Sequence, residues 1–218
     1  MSFFDEMVKF LQEGGFFMAP IGLLFILGLV IALERWWFLR SIHSANQSAL
    51  QAISHALNKG DLYGITQQAR QSDAAVLAML QNGINRMQGP HRRDDIEYAM
   101  EEVVLELTMR LQKRTPFLGT LANVATLLGL LGTIMGLITA FAAVASADPA
   151  QKASLLSSSI SVAMNTTALG LMTAIPLVFV HSLLQSRTAS IIDTMEMAGM
   201  KLMNVLAQQR GQQDGQKA

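Results

Sequence analysis

Several ingredients of common protein chemistry are missing from this chain of 218 residues. It has no cysteine, which excludes disulfides and thiolate metal sites. Its 16 Lys and Arg balance its 16 Asp and Glu, so the net charge of zero gives no indication of nucleic-acid binding. The four histidines are scattered without the spacing of metal ligands (His43, His55, His91 and His181). We therefore expect no metal, no cofactor and no nucleic-acid partner.

Charge is also missing from two long stretches of the C-terminal half. Residues 117–147 and 153–180 contain no Asp, Glu, Lys or Arg, and each exceeds the ~20 apolar residues with which a helix crosses a bilayer. A third uncharged run, 14–33, is followed by Trp36 and Trp37, and indole rings are typical of the headgroup region. Lipid-exposed backbone forms helices or closed barrels, and these runs lack the alternating polarity of barrel strands. The sequence predicts an all-α integral membrane protein with transmembrane helices at 14–37, 117–147 and 157–184.

The polar remainder forms four segments. Residues 1–13 place three Phe among acidic and basic residues, a composition typical of an amphipathic helix in the membrane interface. Residues 38–116 and 185–218 are rich in charge and predict long helical extensions, with a disordered tail from Gln208 onward. Residues 148–156, which begin with Asp148-Pro149, predict a short loop between the second and third spans.

Turn and cap signals divide the 38–116 segment. Gly60 and the Gly89-Pro90 pair mark turns, and Asp61, Asp73 and Asp94 are candidate N-caps for the helices that follow them. Apolar residues on one face of 96–113 predict an amphipathic helix that runs into the second span, with Thr115-Pro116 at the junction.

Basic residues indicate the orientation in the membrane. Segment 34–116 and the C-terminal tail carry 14 Lys and Arg, whereas the other side carries only Lys9 and Lys152. By the positive-inside rule, both large polar segments are cytoplasmic and the N-terminus is outside. The predicted location is a cytoplasmic membrane, with the lipid bilayer as a partner.

Small residues recur along one face of each of the last two spans. In lipid such stripes let helix backbones approach closely, so packing alone is the simplest interpretation of either stripe. One threonine hydroxyl within each stripe, Thr133 and Thr167, suggests in addition a polar lining. The packing residues are Gly129, Gly132, Gly136 and Ala140 in the second span and Ala163, Gly170 and Ala174 in the third.

Other polar residues cluster in the third span. Asn165 and Thr166 precede Thr167, and because interhelical hydrogen bonds alone explain such a cluster poorly, both are candidate lining residues of an ion path. Pro176 predicts a kink, because its ring removes a helical hydrogen bond. We interpret His181 as a boundary residue at the cytoplasmic end of the span. No span contains a carboxylate, so the chain by itself lacks an obvious proton carrier.

Enzyme motifs are missing as well. The sequence contains no G-x-S-x-G, no H-E-x-x-H and no glycine-rich phosphate loop. We therefore predict that the chain is not an enzyme.

Two blocks resemble a known family. Residues 97–141 (EYAMEEVVLELTMRLQKRTPFLGTLANVATLLGLLGTIMGLITAF) and 159–176 (SISVAMNTTALGLMTAIP) resemble the MotA/TolQ/ExbB proton channel family. The L-G-L-L-G-T-x-x-G and N-T-T-A-L-G-L-x-x-A-I-P patterns carry the likeness. Three spans and this length resemble the ExbB/TolQ branch more than the four-span flagellar stator proteins.

The resemblance implies a subunit of an ion-driven motor in the bacterial inner membrane. In the family, five copies form a ring whose second and third spans line a pore. That pore holds the single-span helices of a dimeric partner resembling ExbD, TolR or MotB, which brings the membrane aspartate. By motif position, Thr133 and Thr167 match the family's pore threonines.

Two departures from the family pattern bear on the ion. ExbB/TolQ-type sequences often have a Glu five residues before the third-span threonine, and here that position is Val162. Thr166 adds a third hydroxyl, which is similar to sodium-using members, although we favour the proton over sodium. Two other interpretations stay open: a non-conducting scaffold, and a small-molecule transporter, for which no internal repeat gives support.

Overall fold

The computed structural model of the chain describes residues 15–87 and 93–215, and within them it contains six helices and no strand. Three helical stretches are long and apolar enough to cross a membrane: Met18–Lys59, Asp94–Ser146 and Lys152–Gln208. The predicted all-α architecture with three spans is therefore confirmed. The interfacial helix predicted at 1–13 and the Gly89-Pro90 turn lie outside the described residues. The helices are α1 (Met18–Lys59), α2 (Leu62–Ala69), α3 (Ala75–Arg86), α4 (Arg93–Gln112), α5 (Thr115–Ser146) and α6 (Lys152–Gly215).

The helices belong to two compact units. The membrane unit comprises the chain up to Glu34 together with Arg114–Leu183. The polar unit comprises Arg35–Lys113 together with the chain from Leu184 onward. Helices α1 and α6 each contribute to both units without interruption.

The polar unit has the large apolar core of a water-soluble domain. The amphipathic face predicted for α4 is buried at Ile96, Met100, Leu107 and Leu111. Side chains of α3 complete this core, and Leu77 and Leu80 are fully buried. Burying a Leu, Ile or Met side chain stabilises a fold by about 1.5–3 kcal/mol.

The helix ends of the polar unit test the predicted caps. Asp61 is confirmed, because its carboxylate accepts a hydrogen bond from the Gly64 amide at 3.0 Å. Asp73 was the wrong candidate: the N-cap of α3 is Ala74, whose extended backbone precedes the helix without a side-chain bond. The prediction for Asp94 was also wrong, since α4 already begins at Arg93 and Asp94 lies in its first turn. There its carboxylate still interacts favourably with the helix dipole. The predicted turn at Gly60 is confirmed by its φ of 71°.

The helix is interrupted at the predicted junction between α4 and α5. Instead of running straight into the second span, α4 ends at Gln112, and Arg114 adopts a left-handed φ of 68° before α5 begins at Thr115. Pro116 lies in the first turn of α5, where a missing amide costs least. In the polar unit, the buried Arg35 donates to the carbonyls of Arg110 and Leu111 and so satisfies the end of α4.

Helix α6 corrects two predictions for the C-terminal region. The third span and the expected separate C-terminal helix form a single helix of 64 residues, Lys152–Gly215. The tail predicted to be disordered from Gln208 is helical as far as Gly215. The segment after Leu184 contains no proline and is rich in Ala, Met, Leu and Gln, which favour a helix despite Gly199 and Gly211. Pro176 lies inside this helix, and a kink there stays a prediction.

Candidate functional site

Helices α5 and α6 of the membrane unit meet along their small residues. A methyl group added to Gly170 would lie 2.8 Å from the Ala125 carbonyl oxygen and 3.0 Å from Gly129 Cα. One added to Gly136 would lie 2.7 Å from Ala163 Cβ. The backbones are therefore as close as these residues allow, which is the packing typical of small residues in lipid. Ala140, Ala163 and Ala174 are buried as well.

The order of these contacts shows that α5 and α6 are antiparallel. Gly136 is next to Ala163, Gly132 is next to Thr166, and Gly129 is next to Gly170. Each residue along a helix is turned by about 100° from the one before it. When two antiparallel helices face each other, the residues that follow a contacting pair, one on each helix, therefore turn toward the same side of the seam. The residues that follow the Gly132–Thr166 contact, Thr133 and Thr167, therefore lie on one side of the seam.

Helix α1 packs on the other side. Within the membrane unit, Gly28 contacts Leu177, and Gly15 lies against Val162. Val162, Thr166 and Leu177 are four and eleven residues apart, so they share one face of α6. Thr166 is 2% exposed on that face, and its hydroxyl donates to the Val162 carbonyl at 3.0 Å. We call the side that carries Thr133 and Thr167 the hydroxyl side; it is the side away from α1.

The two predicted pore threonines have different hydrogen bonds. Thr167 is half-buried and donates across the seam to the Gly129 carbonyl at 2.8 Å. Thr133 is half-buried and donates to the Leu130 carbonyl of its own helix at 2.6 Å. Because each hydroxyl donates its single proton within the subunit, its oxygen lone pairs remain able to accept a hydrogen bond or coordinate a cation.

Not every predicted site residue reaches the hydroxyl side. Asn165 is half-buried, but it is two residues from Thr167 and so points about 160° away around α6. Thr166 faces the α1 side. A residue that sequence reasoning missed, Thr126, does share the hydroxyl side, since it precedes Thr133 by two helical turns and donates to the Ala122 carbonyl at 3.1 Å. Its spacing of seven from Thr133 was the available signal.

Charge in the membrane unit is confined to the ends of the spans. Glu34 and Arg114 form an ion pair at 3.2 Å with half-exposed side chains. Among the residues described, no group of three His, Cys, Asp or Glu could hold a metal ion. The seam is therefore closely packed, carries hydroxyls on one side, and, in the described part of the membrane unit, has no carboxylate between its ends. Together with the three candidate spans, these features are those of an integral membrane protein.

Comparison with known proteins identifies the family. The profile of the MotA/TolQ/ExbB proton channel family matches residues 71–197, more than half of the chain, and the chain belongs to this family. It is 29% identical to an ExbB homolog, named as a biopolymer transport protein, of Methanothermobacter thermautotrophicus over 90% of this chain and 69% of the homolog. It is 28% identical to a Synechocystis protein named ExbB-like 1 over 91% of this chain and 76% of that protein.

A shorter match extends the likeness to Tol proteins. The Tol-Pal system protein TolQ of Haemophilus influenzae is 38% identical over 37% of this chain and 35% of its own length. The resemblance to the ExbB/TolQ branch is therefore confirmed. The chain is a membrane subunit of an energy-transducing channel family, and that family is not one of enzymes.

Proposed function

We propose that this chain is a subunit of a motor complex in the bacterial inner membrane that is driven by the proton motive force. Five copies form a ring around a dimer of single-span partners resembling ExbD, TolR or MotB. The N-terminus is outside and the polar unit is cytoplasmic, as the 14 basic residues on that side favour. The complex converts ion flow into mechanical work on the envelope.

The observation that carries this proposal is the position of Thr133 and Thr167. Both lie on the side of the seam away from α1, where the described part of this subunit provides no covering helix. In the proposed ring, this side faces the axis, and the partner's aspartate takes up and releases the ion beside the two hydroxyls. Asn165 and Thr166 face other sides of α6, so we do not expect them to line the axis.

The absence of a carboxylate from the spans of this chain is consistent with a carboxylate supplied by the partner. Val162 occupies the position where related proteins often have Glu, and it lies against Gly15 on the α1 side. In the proposed mechanism, the ionisable group beside Thr133 and Thr167 is therefore the partner's aspartate. A membrane potential supplies about 2.3 kcal/mol per charge per 100 mV, and passage of one ion biases a rotational step of the ring about the partner.

Sodium is the second candidate ion because hydroxyl and carbonyl oxygens can replace part of a cation's hydration shell. Thr126, Thr133 and Thr167 together give three hydroxyls on the hydroxyl side. The proton remains our first choice, because hydroxyls by themselves do not select sodium.

The test replaces hydroxyls by methyl groups without changing side-chain shape. Thr133→Val and Thr167→Val should abolish ion flux through the complex in proteoliposomes, while ring assembly in detergent stays at the level of the unmodified chain. Loss of the Thr167 bond to Gly129 costs only about 0.6 kcal/mol, so misfolding is not an adequate explanation for a loss of flux.

The controls are threonines on other sides of the same helices. Thr139→Val and Thr166→Val should conduct normally, since Thr139 is six residues from Thr133, about 120° around α5, and its hydroxyl bonds to Gly136 at 2.9 Å. Normal flux through both Thr133→Val and Thr167→Val would refute the pore assignment and favour a non-conducting scaffold.

A further inference from the structure

His181 is the first ionisable side chain that α6 presents after its membrane-spanning run. Residues 153–180 contain no Asp, Glu, Lys, Arg, His, Cys or Tyr, and the same is true of 117–147 in α5. A neutral imidazole has one ring nitrogen that donates a hydrogen bond and one that accepts, which suits it to receiving a proton at one nitrogen and releasing one at the other. Its chemistry is therefore unlike that of every other residue along the seam.

The imidazole packs against α5 at a glycine. A methyl group placed on Gly119 would lie 3.5 Å from His181 Cε1 and 3.7 Å from each ring nitrogen. The ring is half-buried, and within residues 15–87 and 93–215 neither nitrogen has a protein hydrogen-bond partner. Gly119 therefore leaves room for the ring beside the backbone while both nitrogens stay available to water.

His181 lies at the border between the hydroxyl side and the α1 side of α6, four residues after Leu177, and its contact with Gly119 brings the ring toward the hydroxyl side. It follows Thr167 by 14 residues, which is within about 40° around the helix and about 21 Å along it. Gly119 precedes Thr133 by the same 14 residues on α5, with Thr126 halfway between them. The imidazole thus ends a line of polar groups at three levels about 10 Å apart, which begins at Thr133 and Thr167 and passes Thr126.

We propose that His181 is the group that receives protons from this line and releases them to the cytoplasm. The inference rests on the proposed function for its direction of flow. A proton that arrives through water forms an N–H bond at the unprotonated ring nitrogen, and the opposite nitrogen then gives its proton to cytoplasmic water. No electrons are exchanged. A turn of the ring, or movement of the remaining proton from one ring nitrogen to the other through water, restores the first tautomer.

Charged neighbours at this end do not replace the imidazole. Glu34 of α1 and Arg114 of α5 are bound to each other at 3.2 Å, so their charges largely cancel. On α6 itself, the next charged residue is Arg187, which belongs to the polar unit and cannot accept a proton. Of the residues named here, His181 is the one with a ring-nitrogen lone pair that can accept a proton.

The test uses the complex purified from native membranes through a tag on this chain and reconstituted in sodium-free vesicles with a pH-sensitive dye inside. His181→Ala should lower the proton flux at fixed potential by about tenfold or more, given that positioned acid–base groups contribute typically 10²–10⁴-fold. Imidazole added at millimolar concentration should restore the flux of this variant. His43→Ala, a matched histidine in the polar unit, should conduct normally and should not respond to imidazole.

The outcomes separate this inference from the proposed function. Normal flux in His181→Gln overturns it, as does a loss in His181→Ala that imidazole does not restore, because a packing role predicts no chemical rescue. If the unmodified complex conducts only after sodium is added to the vesicles, and His181→Gln then conducts equally well, the inference is also overturned. In each of these cases, the proposed function survives if Thr133→Val and Thr167→Val abolish flux in the same vesicles, and it fails if both conduct.

Discussion

The membrane unit and the polar unit use opposite kinds of side chain to hold their helices together. In the membrane unit, the α5–α6 seam is built from Gly, Ala and Thr, while Leu130, Phe141 and other large apolar residues point outward. In the polar unit, the large apolar residues, such as Leu77, are inside. The difference follows from the solvent: in water, burial of apolar area drives packing, whereas in lipid the large side chains gain nothing by leaving the surface.

This contrast predicts that the same truncation has different effects in the two units. Leu77→Ala should destabilise the polar unit by about 2–5 kcal/mol, because it leaves a cavity in a fully buried site. Leu130→Ala, at a position 54% exposed in the membrane unit, should change stability by about 0.5 kcal/mol or less. Amide hydrogen exchange of the chain in detergent measures both effects, helix by helix. Equal losses of protection would mean that the two units do not differ in what holds them together.

The reverse experiment adds volume to the seam. Gly170→Ala should destabilise the membrane unit by about 1–3 kcal/mol, because the new methyl group meets the Ala125 carbonyl and the Gly129 backbone, which cannot turn aside as a side chain would. The matched control is Gly22→Ala in α1, where nothing lies within 4 Å of the added methyl. Both substitutions gain the same helix propensity, so the difference between their unfolding midpoints in detergent reports the seam. A Gly170→Ala variant as stable as Gly22→Ala would contradict close packing of the backbones.

The sequence predicted these two regions unequally well. Uncharged runs and small-residue spacing indicated the three spans, because a bilayer imposes strong constraints on length and polarity. The side of the seam that each threonine faces was beyond sequence reasoning, since Thr166 and Thr167 fit the same pattern and only the contact with Gly132 distinguishes them. For the same reason, Asn165 was grouped with Thr167 although it lies across the helix.

Predictions of helix ends failed where tertiary contacts outweigh local signals. The positive φ of Arg114 follows no glycine or asparagine signal, and the Arg35 guanidinium that satisfies the end of α4 comes from a residue 75 positions away in sequence. No local pattern contains such a partner. Conversely, Asp73 has the right chemistry for a cap but lies one residue too early, a shift that helix boundaries read from sequence commonly show.

The smallest expected effect concerns helix ends in water. Asp61→Ala should destabilise α2 by about 1 kcal/mol, because its carboxylate accepts the Gly64 amide hydrogen bond that no other group in this turn replaces. Asp73→Ala is the matched control and should have little effect, since the N-cap of α3 uses no side-chain bond. Faster amide exchange confined to α2 in the first variant is the expected measurement.

Gly64 shares this cap, because a methyl group there would lie 2.6 Å from Asp61 Oδ2 and displace the carboxylate. Gly64→Ala should therefore produce the same local loss as Asp61→Ala, and the double variant should lose little more than either, because both substitutions remove one interaction.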